Sequence, residues 1–328
     1  MKSRSGCRLV FIAALLAVFP LQAMETDQYY AWGKPIADST RYLNAWVVLN
    51  VQSALDESGK DAATSCEDML DPIQRRMQQS IYHYIEMWAI TSPLVDRVPL
   101  GLEEDRHYRK HYLLAKTVPV DTARWLNPSP TVQVDGIRLG TDKLAHFMSE
   151  GWWYYRWWKK REDKYSPEEL QRKMIKFGVK LESGGQGYWV TGVFSPADLE
   201  ANYQGYLFYQ QLCHGDKPLL YQQEGRWHIS DAFDFRNYVN PDWDESWLPN
   251  IFKERRWKRI RQTVATYCPL LHTPWIEQQR AMYQERDTQS PSEKVLMELV
   301  AEGKVPDPKR FDVVSVCSEN AVDSMSRP

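Results

Sequence analysis

Gly140-Thr141-Asp142-Lys143-Leu144-Ala145-His146-Phe147 and Ser195-Pro196-Ala197-Asp198-Leu199-Glu200-Ala201-Asn202-Tyr203-Gln204-Gly205 are the stretches on which the fold turns. Each opens a run with polar residues at helical intervals. On a helix of 3.6 residues per turn, Asp142, His146, Glu150, Trp153 and Trp157 share one narrow arc; Asp198, Asn202, Gly205 and Tyr209 share another. The first run predicts a helix from about Asp142 to Arg161. The second predicts one reaching about Cys213, with Ser195 as N-cap, Pro196 at the first helical position and Asp198 where a capping-box acid belongs. Between them a helix from Ser166-Pro167-Glu168 to Ser183 carries Glu182 near its end, before the break Gly184-Gly185-Gln186-Gly187.

Outward from this centre, Val132 to Leu139 alternates around Asp135-Gly136, a hairpin signal that delivers the chain into Asp142. Asp38 to Glu57 and Cys66 to Ile90 read as two long helices, and Leu94 to Pro130 is less regular, with a charged helical turn at Arg106 to His111. On the C-terminal side, Tyr221 to Ile229 reads as a second small hairpin. An acidic, aromatic loop from Phe233 to Asn250 follows, then helices near Trp257 to Tyr267 and Ser292 to Glu302. The expected fold class is therefore mainly α, a helical bundle with one or two small β-hairpins, in one domain over 24–328 whose centre is about 140–213 and whose C-terminal part is irregular and aromatic.

Residues 1–23 read as a signal peptide: Lys2, Arg4 and Arg8 precede an apolar run from Leu9 to Phe19 and a small-residue exit at Ala23. That run is too short for a permanent membrane helix, and no later segment approaches the ~20 apolar residues one needs. The expected location is periplasmic or secreted. Cys66, Cys213, Cys268 and Cys317 remain after the leader, and an even count in an oxidising compartment predicts two disulfides with any of three pairings. Overall there are 41 basic and 43 acidic residues, a balance that excludes nucleic acid as a natural partner.

If the polar faces converge, they place one imidazole, several carboxylates and an amide in a small volume. Such a set suits general acid–base chemistry, with His146, Glu182, Asp198 and Asn202 as candidate catalytic residues. It also suits a divalent metal, with His146, Glu150 and Asp198 as candidate ligands. Each residue has a plainer alternative. His146 could be a buried hydrogen-bonded histidine, Glu150 a partner for Lys143 or His146, Asp198 a helix cap and Glu182 an ordinary helix-end residue. His107 and His111 have ligand spacing but sit among Arg106, Arg109 and Lys110, which assigns them to a solvated face. Asp242, Asp244 and Glu245 suggest a calcium loop, but the glycine and terminal Glu of an EF-hand are missing. The run from Trp152 to Trp158 is read mostly as core.

In order and spacing, Asp142-Lys143-x-x-His146-Phe147, Glu182 with Gln186, and Ser195-x-x-Asp198-x-x-x-Asn202-x-x-Gly205 resemble the VanZ-like family and small envelope lipoproteins with the same DKxxHF opening. The resemblance covers about 142–205. It implies a helical bundle with His146, Glu182, Asp198 and Asn202 turned inward, in a protein of the cell envelope. Two features depart from it: the helices here are polar or aromatic instead of strongly apolar, and Gly192 stands where the family usually has an arginine.

The functional expectation is a periplasmic envelope protein whose inward cluster binds a ligand or metal and acts on an envelope component. The alternative is a non-catalytic structural or interaction module, with loops around Trp243 and Trp247 binding a glycan or protein partner. Reaction, oligomeric state and disulfide pairing lie beyond the sequence.

Overall fold

The computed structural model describes residues 25–58, 65–79, 82–113, 128–184, 188, 192–287 and 289–318. The proposed signal peptide and Gln186 of the family pattern lie outside them. Helix α1 (Thr40–Glu57) buries Leu43, Val47, Val51, Ala54 and Leu55, a stripe at helical spacing. Helix α2 (Cys66–Met77) starts at Ser65, whose hydroxyl accepts from Asp68 N, and buries Met69, Leu70, Ile73 and Met77.

The single long helix expected from Cys66 to Ile90 is broken. After Met77 the chain forms two short antiparallel strands, β1 (Gln78–Gln79) and β2 (Tyr82–His83), before α3 (Tyr84–Thr91). The apolar spacing Met69, Ile73, Met77 continues to Ile81 in the sequence, which is what predicts one long helix; nothing among the described residues explains the break. Helix α4 (Leu102–His111) contains the expected charged turn and carries acids in its first turn and bases in its last, matching its dipole.

The first hairpin forms as read, with β3 (Thr131–Val134) pairing with β4 (Ile137–Gly140). Asp135 at φ 50° and Gly136 at φ 79° supply the left-handed pair that a tight two-residue turn demands. Helix α5 (Thr141–Lys159) follows without a loop, then α6 (Pro167–Ser183), β5 (Val193–Phe194) and α7 (Pro196–Cys213). Strands β6 (Leu220–Gln223) and β7 (Arg226–Ile229) make the second hairpin, and β8 (Ile251–Phe252) returns to pair with β5. Helices α8 (Glu254–Val264), α9 (Pro274–Arg286) and α10 (Pro291–Ala301) complete the set. The architecture is mainly helical with small antiparallel pairs, as expected; α9 was not anticipated.

Helices α5 and α7 cross at two glycines. A Cβ on Gly151 would lie 2.6 Å from Gly205 Cα, and one on Gly205 would overlap the Phe147 carbonyl oxygen. Around this crossing Phe147 meets the rings of Phe208, Phe235, Tyr238 and Trp243. Much of the unusual aromatic content is thus spent in the core. Trp243, which the alternative reading put on a binding loop, is fully buried, and of the Trp152 run only Trp153 is largely exposed. The buried apolar side chains form one contiguous cluster. Two disulfides tie the periphery, Cys66–Cys213 from the start of α2 to the end of α7, and Cys268–Cys317. No helix among the described residues is long and apolar enough to cross a membrane.

Candidate functional site

The β3–β4 hairpin sets the start of α5, and the Ser195 cap sets the start of α7. Ser195 Oγ accepts from Asp198 N at 3.2 Å, so capping is done by the hydroxyl. The Asp198 carboxylate is thereby left for other work. One of its oxygens lies 2.6 Å from Lys143 Nζ and the other 3.3 Å from His146 Nε2. The remaining imidazole nitrogen, Nδ1, lies 3.0 Å from Asn202 Oδ1 and 3.9 Å from Glu150. Gly178 on α6 accepts the Tyr154 hydroxyl from α5, because any Cβ there would overlap it. One turn later on the same face stands Glu182, buried and within electrostatic reach of both His146 and Asp198. The structure therefore brings all four candidate catalytic residues together.

Protonation follows from this packing. Burial disfavours the charged form of His146, but Asp198 and Glu150 outweigh it and raise the imidazole to about 9. With acceptors facing both nitrogens, it is an imidazolium at neutral pH. Burial and the Asp198 charge push the Glu182 carboxyl up to about 8, so it keeps its proton. Asp198 is driven the other way. Burial opposes its ionisation, yet His146 and Lys143 overcome that and hold it below the ordinary range. Two neighbouring carboxyls with acidities pushed apart are the arrangement that assigns acid and base roles.

The proposed ligand trio is arranged differently. Asp198 faces Nε2 of His146 while Glu150 lies toward Nδ1, so the three groups do not share one point in front of a single ring nitrogen. A compact carboxylate group does exist nearby. Oxygens of Glu25, Asp142, Asp198 and Glu245 all lie within 4.8 Å of one another, and the Lys143 ammonium sits among them at 3.7, 2.7, 2.6 and 2.5 Å. Lys143 is fully buried, so the cation this cage requires belongs to the chain itself. Thr26 Oγ1 donates to Asp142, and Ser195 Oγ to Glu245. Burial and the neighbouring acids push Glu25 well above the usual carboxyl range.

Sequence reasoning missed the Lys143 cage. Lys143 stood in the quoted motif but was weighed only as a partner for Glu150, and Glu245 was weighed as part of a calcium loop. Glu86 of α3, buried and accepting from Ser129 Oγ at 2.9 Å, was also missed. Burial and the charge of Asp142 raise it to about 8. A lysine next to an acid in a helix's first turn, where the dipole disfavours a cation, is the one local signal that could have flagged the cage.

The cage is dry, but the imidazole end is open. The His146 side chain is 24% exposed and Glu150 19%. Glu150 also borders a groove of about 440 Å³ between α5 and α6, lined by Trp153, Trp157 and Phe177 with the exposed Arg156 and Lys160. Elsewhere, the Arg256 side chain of α8 lies over Gly192, where a Cβ would overlap its guanidinium. Position 192 is thus empty of side chain because an arginine from elsewhere fills the space. Comparison of the chain with protein-family models, curated proteins and solved structures finds no match.

Proposed function

We propose that the cluster on α5, α6 and α7 is an acid–base site that hydrolyses or modifies an anionic component of the cell envelope. Glu182 carries a proton to and from the substrate, while the His146 imidazolium, held by Asp198 at Nε2 and by Asn202 at Nδ1, presents a fixed positive charge to it. The observation that carries this reading is the His146–Asp198 pair, a buried carboxylate behind a partly exposed imidazole. That geometry holds a positive charge in one place while leaving part of the ring open to an anionic ligand. Ser195 and Ser149 are buried and already hydrogen-bonded, which favours proton transfer to water or substrate over attack by either hydroxyl.

Anionic substrate character is supported by Arg156 and Lys160 in the groove beside Glu150. The two disulfides agree with an oxidising exported compartment, periplasmic or extracellular. The VanZ-like resemblance adds an envelope setting and no reaction. The structural alternative is favoured by one observation, the fully buried Lys143 among four carboxylates. We assign that role to the Lys143 end and chemistry to the His146 end.

The test is incubation of isolated envelope fractions, both lipid extracts and sacculi, with the wild type and with His146→Gln, followed by mass spectrometry. A product formed by the wild type and lost in a folded variant supports the reading. Identical product profiles for the two proteins would sink it.

A further inference from the structure

The acidic loop at Asp242 to Glu245 comes apart in the structure, and its members serve different ends. Glu245 joins the Lys143 cage, and Asp244 accepts from Ser246 and from Tyr283 Oη. Asp242 turns elsewhere. It stands in a single 3₁₀ turn (Pro241–Trp243), buried, beside Asp287 at the end of α9 and Glu293 in the first turn of α10. One carboxylate oxygen from each of Asp242, Asp287 and Glu293 lies within 4.8 Å of the other two.

A fourth carboxylate backs them. Glu200 projects about 200° around α7 from Asp198, away from the His146 cluster. It is fully buried. Its Oε1 accepts from Gln204 Nε2 and Asn240 Nδ2, each at 2.7 Å, while its Oε2 is buried with no hydrogen-bond partner. Asn240 also accepts from Asp242 N at 3.0 Å, which brings Glu200 against Asp242. Glu293 Oε2 is likewise buried without a partner. Among the described residues no lysine, arginine or histidine nitrogen pairs with any of these four carboxylates; Lys309 and Lys294 act on Glu293 only from farther away.

The same chain solves the same problem differently at its other acidic cluster. There, four carboxylates at the same spacing surround the Lys143 ammonium. Here the spacing recurs and the chain supplies no cation. Burial together with Glu200, Glu293 and Asp287 pushes the Asp242 carboxyl up to about 8, so without a cation it holds a proton.

We propose that Asp242, Asp287 and Glu293, backed by Glu200, form a binding site for a hard divalent cation, Ca²⁺ in the first place. The donors are all oxygen, which selects calcium or magnesium over zinc. Two oxygens on opposite sides of a calcium ion at roughly 2.4 Å each lie about 4.8 Å apart, so three within that limit close on one ion with shifts of a few tenths of an ångström, whereas magnesium at about 2.1 Å in strict octahedral geometry demands a larger contraction. Bound there, the ion joins the loop that carries Glu245 to the junction of α9 and α10. The site is independent of His146 and of the reaction proposed for it.

The experiment uses the full chain freed of metal with a chelator, then titrated with CaCl₂ or MgCl₂ while calorimetry reads binding and a thermal melt reads stability. The expected result is one Ca²⁺ per chain with a dissociation constant on the order of 10⁻⁴ to 10⁻³ M, and a rise in Tm of about 3–6 °C. Asp287→Asn/Glu293→Gln should abolish both while raising the Tm of the metal-free protein, because it removes like-charge repulsion; that rise separates a lost site from a failed fold. His146→Gln should bind calcium like the wild type. No binding by the wild type at 10-fold above that range, or an unchanged response in the double variant, would overturn the proposal.

Discussion

Lys143 and Asp198 meet at 2.6 Å in the interior, and the carboxylate that takes the lysine on one oxygen takes His146 on the other at 3.3 Å. A single buried anion is thus shared by a fully enclosed cation and a partly open one. The lysine fixes where the carboxylate stands, and the carboxylate fixes the charge and orientation of the imidazole. Stability and the charge of the imidazole are coupled through Asp198, and the two can be separated by substitution.

Lys143→Met should cost about 3–5 kcal/mol, the usual penalty for removing one partner of a buried ion pair, because it leaves Glu25, Asp142, Asp198 and Glu245 crowded without a cation. Adding Glu245→Gln should recover part of the loss. Urea denaturation of the single and double variants measures both. A neutral Lys143→Met would mean that the cage already holds enough protons to dispense with the lysine.

His146 should titrate near 9 by NMR, and Asp198→Asn should bring its midpoint down toward the ordinary value of 6.5. The sign follows from linkage. A folded value above the unfolded one gives stability that is fully present below about 6.5 and is lost as the pH rises through about 9. The stability deficit of His146→Gln should therefore be largest in mild acid and disappear above pH 9. A midpoint near 6.5 in the wild type would remove the imidazolium from the proposed chemistry.

Gly151→Ala should destabilise by about 1–3 kcal/mol or more, as overpacking does where the neighbour is rigid. The added methyl would meet the Gly205 backbone at 2.6 Å, and no side chain there can swing aside. Gly215→Ala offers a contrast, since its Cβ meets nothing within 4 Å and only its positive φ of 90° is strained. Thermal melts should rank Gly151→Ala as the more damaging of the two.

What was legible in the sequence is what short-range chemistry decides. Asp135-Gly136 announces its hairpin because a two-residue turn needs two left-handed residues in succession, and Ser195-Pro196 announces α7 because a cap and a fixed φ act within one turn. Helical spacing put His146 on one face with Asp142 and Asp198 on another with Asn202, but that these faces and Glu182 meet was only a condition in the sequence, since spacing within a helix says nothing of how helices pack. Lys143 was not legible, because its burial depends on Glu25 and Glu245 from distant parts of the chain. Helix α9 escaped notice for a different reason: it buries only Ile276 and Tyr283, too sparse a stripe to stand out. The break at Gln78 gives no local warning, because Ile81 and Ile85 carry the i+4 spacing of Met69, Ile73 and Met77 straight through it.

Stability should peak in mild acid and fall toward pH 9, contrary to what a near-neutral net charge would suggest. Burial raises Asp27 and Glu245 to about 7, and Glu86, Glu182 and Asp242 to about 8. Each has a folded value above its unfolded one, so the folded chain holds protons that the unfolded chain has released. Stability from these groups is complete below about pH 4 and is lost as the pH climbs to 7 or 8. His146 extends the decline to 9. Asp198, Glu104 and Asp234 act oppositely, since their lowered values make stability that disappears only in stronger acid. The balance places the optimum at about pH 4, where the two sets cross. Melting in chelator from pH 4 to 9 tests this, and Glu86→Gln should flatten the profile between 4.5 and 8 without touching His146. A Tm that is level from pH 5 to 8 in the wild type would show that these carboxyls ionise in the folded protein, and with them would go the proton that Glu182 is assigned to carry.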